Sequence, residues 1–254
     1  MKTAVLIFGM LRQFSITAKD WNFDKYLDCD YYISTWDKSL QKIDNHGAEV
    51  ASNYRAFNVT EKYIKNIIPN ITCSILKEKE IFPLECSTQA KMFFHWKNVF
   101  NLMLKSQKQY DLIVLIRPDI PLSIRSMGAS LNDPLDTPIT SWEYNEDILY
   151  CDDLMKIRKT DPAAFTTEEF HYLSNDLLFF GSLKIMTKFI NLIPDMNRDE
   201  FKYYPWIPHV DLGRILKSSN LYPNDIHPFQ TSYPIRPHPW QTNPIDLISD
   251  KSIL

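Results

Sequence analysis

The sequence predicts an α/β fold with a mostly parallel central sheet flanked by helices, and three observations carry that prediction. The first is YDLIVLIRPDIPL, residues 110–122, an apolar run bounded by Asp111 and Pro118. A run without polar alternation reads as a strand buried on both faces, as central parallel strands are. The second is the segment that leads to it, STQAKMFFHWKNVFNLMLKSQ. Ser87 or Thr88 is placed to cap a helix there, and apolar residues at 92, 93, 96, 99, 100, 103 and 104 hold a helical period for several turns. The third is a pair of earlier strand-like runs, 4–8 ending at Gly9 and 30–37 with a polar exit.

The remaining elements follow in order. ITCSILK, 71–77, is a third strand, and the helix and strand just described complete a β-α-β order. From 121 to 167 the chain is polar and dotted with proline, with a short strand at PITSWEY; a connection of this length in a compact domain is often functional. NDLLFFGS, 175–182, reads as a strand closed by Gly181, and SLKIMTKFINLI and PHVDLGRILKSS as helices. Beyond Tyr222 six prolines predict extended or irregular chain wrapping the sheet. With only five glycines in 254 residues, Gly9 and Gly181, each after a strand-like run, are the places to expect close backbone approach.

No composition break or linker divides the chain, so residues 1–254 are expected to form one domain. The net charge of −3, with both signs interspersed, gives no basic field for nucleic acid. Cys29, Cys73, Cys86 and Cys151 are too scattered for a zinc site and suit a reducing compartment. The N-terminal MKTAVLIFGMLRQF reads as a first strand rather than a signal peptide, and no apolar stretch approaches the roughly 18–20 residues that cross a bilayer. A soluble, cytoplasmic protein is expected.

In open α/β sheets ligands bind at the carboxyl ends of the strands. Four clusters fall at predicted strand ends or at the start of a loop: 9–12, 34–37, 117–119 and 175–176. If strands one, two and four are parallel neighbours, their ends converge on one edge. That edge would offer a flexible cation at Arg12, an aromatic surface at Trp36 and a carboxylate at Asp119, which suits a nucleotide diphosphate better than a neutral metabolite.

The order G-x-x-R, I-S-T-W-D, D-hhhhh-R-x-D, N-D-x-x-x-F-G-S and a late L-x-x-x-L helix resembles small viral and bacterial glycosyltransferases of GT-A type, over most of the chain. The resemblance implies a GT-A (Rossmann-like) fold and transfer of a sugar from a nucleotide-diphosphate donor to a hydroxyl of a glycan or glycolipid, in the host cytoplasm if the protein is viral. It puts Asp119 at the last position of the Asp-x-Asp motif that holds Mn²⁺ or Mg²⁺ on the donor diphosphate, with Arg117 at the first. A plain Arg–Asp ion pair is the alternative for these two.

Arg12 is then the expected diphosphate contact, Gly9 letting the backbone approach, because a guanidinium grips phosphate oxygens two at a time. Trp36, Gln89 and Lys91 also fall on the donor side, with core packing and a solvated helix face as the alternatives. Asp176 is the candidate general base, with Asp211 or Glu143 the carboxylates to try if it fails, and Asn175 orients the acceptor, against an ordinary turn before a strand. Trp142, like Trp36, is an aromatic that could stack on a sugar or base, with core packing as the alternative. His95 is read as a core-edge or surface residue, and His209, His227 and His238 lie where some relatives complete a metal shell. A nucleotidyltransferase and a non-catalytic glycan-binding domain with a degenerate fold are the rival functions. The first is disfavoured by a phosphate loop so poor in glycine; the second is favoured by the missing first aspartate.

Overall fold

A computed structural model describes residues 1–21, 23–42, 54–120, 122–124, 144–151, 177–202, 204, 208–221, 223 and 229–231. In chain order the elements begin with β1 (Lys2–Phe8), α1 (Phe14–Thr17), α2 (Phe23–Tyr26), β2 (Asp28–Trp36), β3 (Lys38–Lys42), β4 (Tyr54–Asn58), α3 (Glu61–Ile67) and β5 (Ile71–Leu76). Then come α4 (Glu78–Ile81), α5 (Thr88–Lys105), β6 (Leu112–Ile116), β7 (Leu122–Ile124), β8 (Tyr150–Cys151) and β9 (Leu178–Gly181). Helices α6 (Leu183–Leu192), α7 (Asp199–Lys202) and α8 (Pro208–Ser218) and strand β10 (Phe229–Thr231) follow.

Six strands form the central sheet in the order β5-β2-β1-β6-β9-β8. The pairs β5–β2, β2–β1 and β1–β6 are parallel, and β9 runs antiparallel to both β6 and β8. The sheet is therefore the expected mostly parallel one, and β2, β1 and β6 are neighbours whose C-terminal ends share an edge. Because β9 is antiparallel, its first residue lies at that same edge, with Leu178 beside Ile116.

The apolar runs make this sheet because they have two faces to bury. Along β1, Ala4, Leu6 and Phe8 enter one core and Val5 and Ile7 the other, all at 0–1% exposure. The first core lies under α5, α6 and α8; the second takes Leu11, Phe14, Phe23 and Ile64 from the opposite face. Trp96 on α5 centres the first core, with rings of Phe8, Phe93 and Phe179 edge-on at 5.4, 5.2 and 5.6 Å. Truncating a buried ring of this kind to alanine costs roughly 3–5 kcal/mol. The α5 N-terminus is capped as expected: the Ser87 hydroxyl accepts from the Ala90 N–H at 3.1 Å. Ser182 caps α6 in the same way, accepting from Ile185 N–H at 3.2 Å.

The structure departs from expectation in several places. Strands β3 and β4 form an antiparallel pair that the sequence did not announce, since KSLQK is mostly polar and lacks an apolar run. Within the long polar segment, Leu122–Ile124 is a strand, and it pairs with Phe229–Thr231 of the late chain. That piece of the proline-rich tail thus joins β7 in a separate two-stranded sheet instead of wrapping the central one. Of PITSWEY only Tyr144 is within the described residues. On α5 the apolar period was too generous at its end, for Leu104 is 46% exposed.

The two glycines differ. Gly181 is a close approach: an added Cβ would sit 3.2 Å from both the Ile148 carbonyl oxygen and the Ile185 Cγ2. At Gly9 the requirement is conformational, for φ is +95° and nothing lies within 4 Å of an added Cβ.

Candidate functional site

Parallel strands leave their last backbone groups and the loops that follow at one edge, and here those loops enclose a cavity of about 240 Å³. Gly9, Met10 and Arg12 come from the turn after β1, Trp36 from the end of β2, and Arg117, Pro118 and Asp119 from the turn after β6. Thr88, Gln89, Lys91, Met92 and His95 come from the first two turns of α5. The donor-side residues singled out in the sequence, Gly9, Arg12, Trp36, Gln89, Arg117 and Asp119, therefore all line one cavity. Asn175 and Asp176 lie outside the described residues, as do Trp142, Glu143, His227 and His238. Asp211, on α8, is buried and is not among the lining residues.

Local bonding holds each loop in place. The Gly9 N–H donates to the Ser34 carbonyl at 2.9 Å, carrying the β1–β2 ladder one residue past the strand. Leu11 is buried beneath the turn while Arg12, next to it, is exposed at the cavity rim. The turn after β6 is tied down twice from the β1–β2 connection: the Thr17 hydroxyl donates to the Pro118 carbonyl, and the Trp21 indole N–H donates to the Ile120 carbonyl at 2.9 Å. The Arg117 N–H donates to the Leu177 carbonyl at 3.1 Å, fixing the chain just before β9 against the same edge.

Arg117 and Asp119 form a two-pronged ion pair, Nε to Oδ1 at 3.0 Å and Nη2 to Oδ2 at 2.7 Å. The expected ion pair is present, and both of its residues line the cavity. Lys91 pairs with Glu78 at 2.6 Å. Arg12 forms no ion pair among the described residues, so of three lining cations it carries the uncompensated charge. The N-terminus of α5, capped by Ser87 at the Ala90 N–H, adds partial positive charge from the helix dipole. The cavity favours an anion.

A divalent cation does not fit the described residues. Asp119 is the one carboxylate among the lining residues, and both its oxygens accept from Arg117. Among the described residues no group of three or more His, Cys, Asp or Glu is placed to hold a metal ion.

The aromatic wall is packed rather than open. Trp36 is only 2% exposed, with Phe94 stacked on it at 5.9 Å and the His95 ring edge-on at 4.1 Å. His95 is the residue that sequence reasoning misplaced. It is 1% exposed, neither at the core edge nor at the surface. Its Nδ1 is 2.6 Å from the Ser34 hydroxyl, and that hydroxyl also accepts from the Asn98 amide nitrogen at 2.8 Å. Burial pushes its pKa down to about 3, so the ring is neutral near pH 7. One signal pointed to it: Thr88, Lys91, Met92 and His95 recur at the spacing that shares one helix face.

No protein-family model matches the chain, and no curated protein matches it. Among solved structures, it is similar to the galactosyltransferase LgtC in complex with donor and acceptor sugar analogs, at 13% identity over 84% of this chain and 69% of that one, with a TM-score of 0.40. The glycosyltransferase GlyE of Streptococcus pneumoniae TIGR4, in its apo form, is similar at 11% identity over 88% of this chain and 44% of its own, TM-score 0.38. The bifunctional glycosyltransferase WbbM is similar at 12% identity over 86% and 37%, TM-score 0.36. Among the described residues, no helix is long and apolar enough to cross a membrane. None of the four cysteines is in a disulfide.

Proposed function

We propose that the chain is a glycosyltransferase of GT-A type that moves a sugar from a nucleotide-diphosphate donor to a hydroxyl of a glycan or glycolipid. The observation that carries this is the meeting of Gly9, Arg12, Trp36, Gln89, Arg117 and Asp119 in one cation-rich cavity at the C-terminal edge of three adjacent parallel strands. A doubly charged diphosphate is the group such a cavity suits best. One domain over residues 1–254 and a reducing, cytoplasmic location belong to the same proposal, the latter consistent with four cysteines outside any disulfide.

In this reading Arg12 grips the diphosphate, the open backbone at Gly9 lets it approach, and Gln89 and the first turn of α5 donate to it. As the bond between the sugar carbon and the phosphate oxygen breaks, its electron pair stays on the departing diphosphate. The negative charge growing there is met by Arg12 and by the positive charge of Arg117, whose guanidinium Asp119 holds in orientation. The acceptor oxygen forms the new bond to carbon. In an inverting transfer its proton passes to Asp176, while Asn175 orients it.

The occupation of Asp119 by Arg117 favours one other reading, a nucleotide- or glycan-binding domain without turnover. A thermal-shift panel of nucleoside diphosphates and their sugar conjugates, followed by an assay for released nucleoside diphosphate, separates the two. A ligand that binds only the folded state raises its apparent stability. Binding with release supports the transferase, binding without release the binding domain, and no shift with any of the panel removes both.

A further inference from the structure

We propose that His95 is a specificity-determining residue of the donor cavity, donating a hydrogen bond from Nε2–H to an uncharged oxygen of the nucleotide sugar, on its base or its sugar. The inference rests on the donor-site reading above and adds a residue and a chemistry to it.

Three observations converge. His95 lines the cavity, together with Trp36, Met92 and Arg117. Its Nε2 is fully buried and has no hydrogen-bond partner among the described residues. A buried polar group left unpaired is costly, so it is retained where something else satisfies it. The third observation fixes which nitrogen carries the proton. The Asn98 amide nitrogen donates to two hydroxyl oxygens, Ser34 at 2.8 Å and Ser74 at 2.9 Å. Among the described residues the Ser34 hydroxyl has no other acceptor for its single proton, so it directs that proton to His95 Nδ1, 2.6 Å away, while its oxygen takes the Asn98 N–H. Nδ1 is then the acceptor, and the proton of the neutral ring sits on Nε2. The relay from Asn98 through Ser34 thus fixes the proton on Nε2, an unpaired donor on a residue that lines the cavity.

The surroundings decide what it reads. The ring has Trp36 at 4.1 Å and Phe94 at 5.8 Å between centroids, and burial keeps it uncharged. A neutral donor in an aromatic wall gains little from a phosphate that Arg12 and Arg117 hold better, and it matches a carbonyl, hydroxyl or ring oxygen.

Two variants isolate the atom. His95→Asn keeps an amide near Nδ1 to bond Ser34 and loses the group at Nε2, whereas His95→Gln returns an amide N–H to the Nε2 position. Titration of wild type and both variants with pyrophosphate, UDP, GDP, CDP, dTDP and one sugar conjugate of each gives affinities. In the wild type, ¹⁵N-labelled histidine reports Nε2 directly, and the His95 signal is identified as the one missing from both variants. The expected result is roughly 3- to 10-fold weaker binding in His95→Asn for the nucleotide or nucleotide sugar that binds best, restored in His95→Gln, with the wild-type Nε2–H signal shifting on saturation. Pyrophosphate should leave that signal in place. A nucleotide that binds the wild type without moving Nε2, or binds both variants equally well, overturns the assignment and leaves the donor site standing. An equal shift with pyrophosphate alone overturns the uncharged oxygen. Failure of the wild type to bind any of the panel removes the donor site and the assignment together.

Discussion

Arg117 grips both carboxylate oxygens of Asp119, at 3.0 and 2.7 Å, and the pair stands at the mouth of a turn held down by Thr17 and Trp21. The Asp119 side chain is 8% exposed and the Arg117 side chain 24%, so the carboxylate is the inner, fixed partner and the guanidinium the outer one. Asp119 therefore orients the Arg117 guanidinium, and in the proposed transfer it acts through Arg117.

Asp119→Asn tests that role. The amide offers one acceptor where the carboxylate offered two, and the guanidinium loses its fixed plane. Misplacing a charged group by about 1 Å costs roughly 100-fold in transfer reactions. Nucleotide-sugar turnover should fall by roughly 10- to 100-fold while the circular dichroism spectrum stays that of the wild type. Unchanged turnover and donor affinity would reduce the pair to a structural tie.

The same geometry predicts how the protein meets a divalent cation. With both Asp119 oxygens taken, Mn²⁺ or Mg²⁺ should bind the free protein weakly and more strongly once a diphosphate supplies oxygen ligands. Calorimetric titration of Mn²⁺ into the protein, alone and with a bound nucleoside diphosphate, compares the two. Tight binding to the free protein would show that Asp119 leaves Arg117 for the metal.

What the sequence made legible is what apolar pattern alone decides. The runs ending at Phe8, Trp36 and Ile116 could be buried only as central strands, and once these are parallel neighbours Arg12, Trp36 and Asp119 must share an edge. Strands β3 and β4 were not legible, because an antiparallel pair of short polar strands is made by cross-strand partners and not by its own pattern. His95 escaped for a related reason. Its burial depends on Ser34, 61 positions away, and on Asn98, itself 64 positions from Ser34, so no local window contains the hydroxyl that makes a core position acceptable to an imidazole.

That burial has a consequence for stability. The folded His95 has its pKa pushed down to about 3 from 6.5. Between those values the unfolded chain binds a proton that the folded chain does not, so stability is lost as the pH falls from the upper value toward the lower. At about 1.4 kcal/mol per pH unit, the wild type should lose about 2 kcal/mol more than His95→Asn between about pH 7 and about pH 5. Urea unfolding at the two pH values measures it. Equal losses in both proteins would mean the imidazole takes up its proton in the folded state.

Asp176 is the last residue to test, and it is proposed to act on the acceptor, apart from the cations that hold the donor. Its sequence neighbour Leu177 is pinned to the site, its carbonyl accepting from the Arg117 N–H at 3.1 Å, and Leu178 opens β9 beside Ile116. The chain thus reaches the carboxyl edge of the sheet at the residue that follows Asp176. A general base contributes roughly 10²- to 10⁴-fold to rate, so Asp176→Asn should lower turnover by that order at saturating donor, with donor affinity within about 3-fold of the wild type. The pairing of the two measurements carries the argument, since loss of a base leaves the ground-state complex intact. If donor affinity collapses while turnover at saturation is normal, Asp176 belongs with Arg12 and Arg117 on the donor side. The proton must then pass to another carboxylate, and Glu143 is the next to replace, since Asp211 lies buried on α8 away from the cavity.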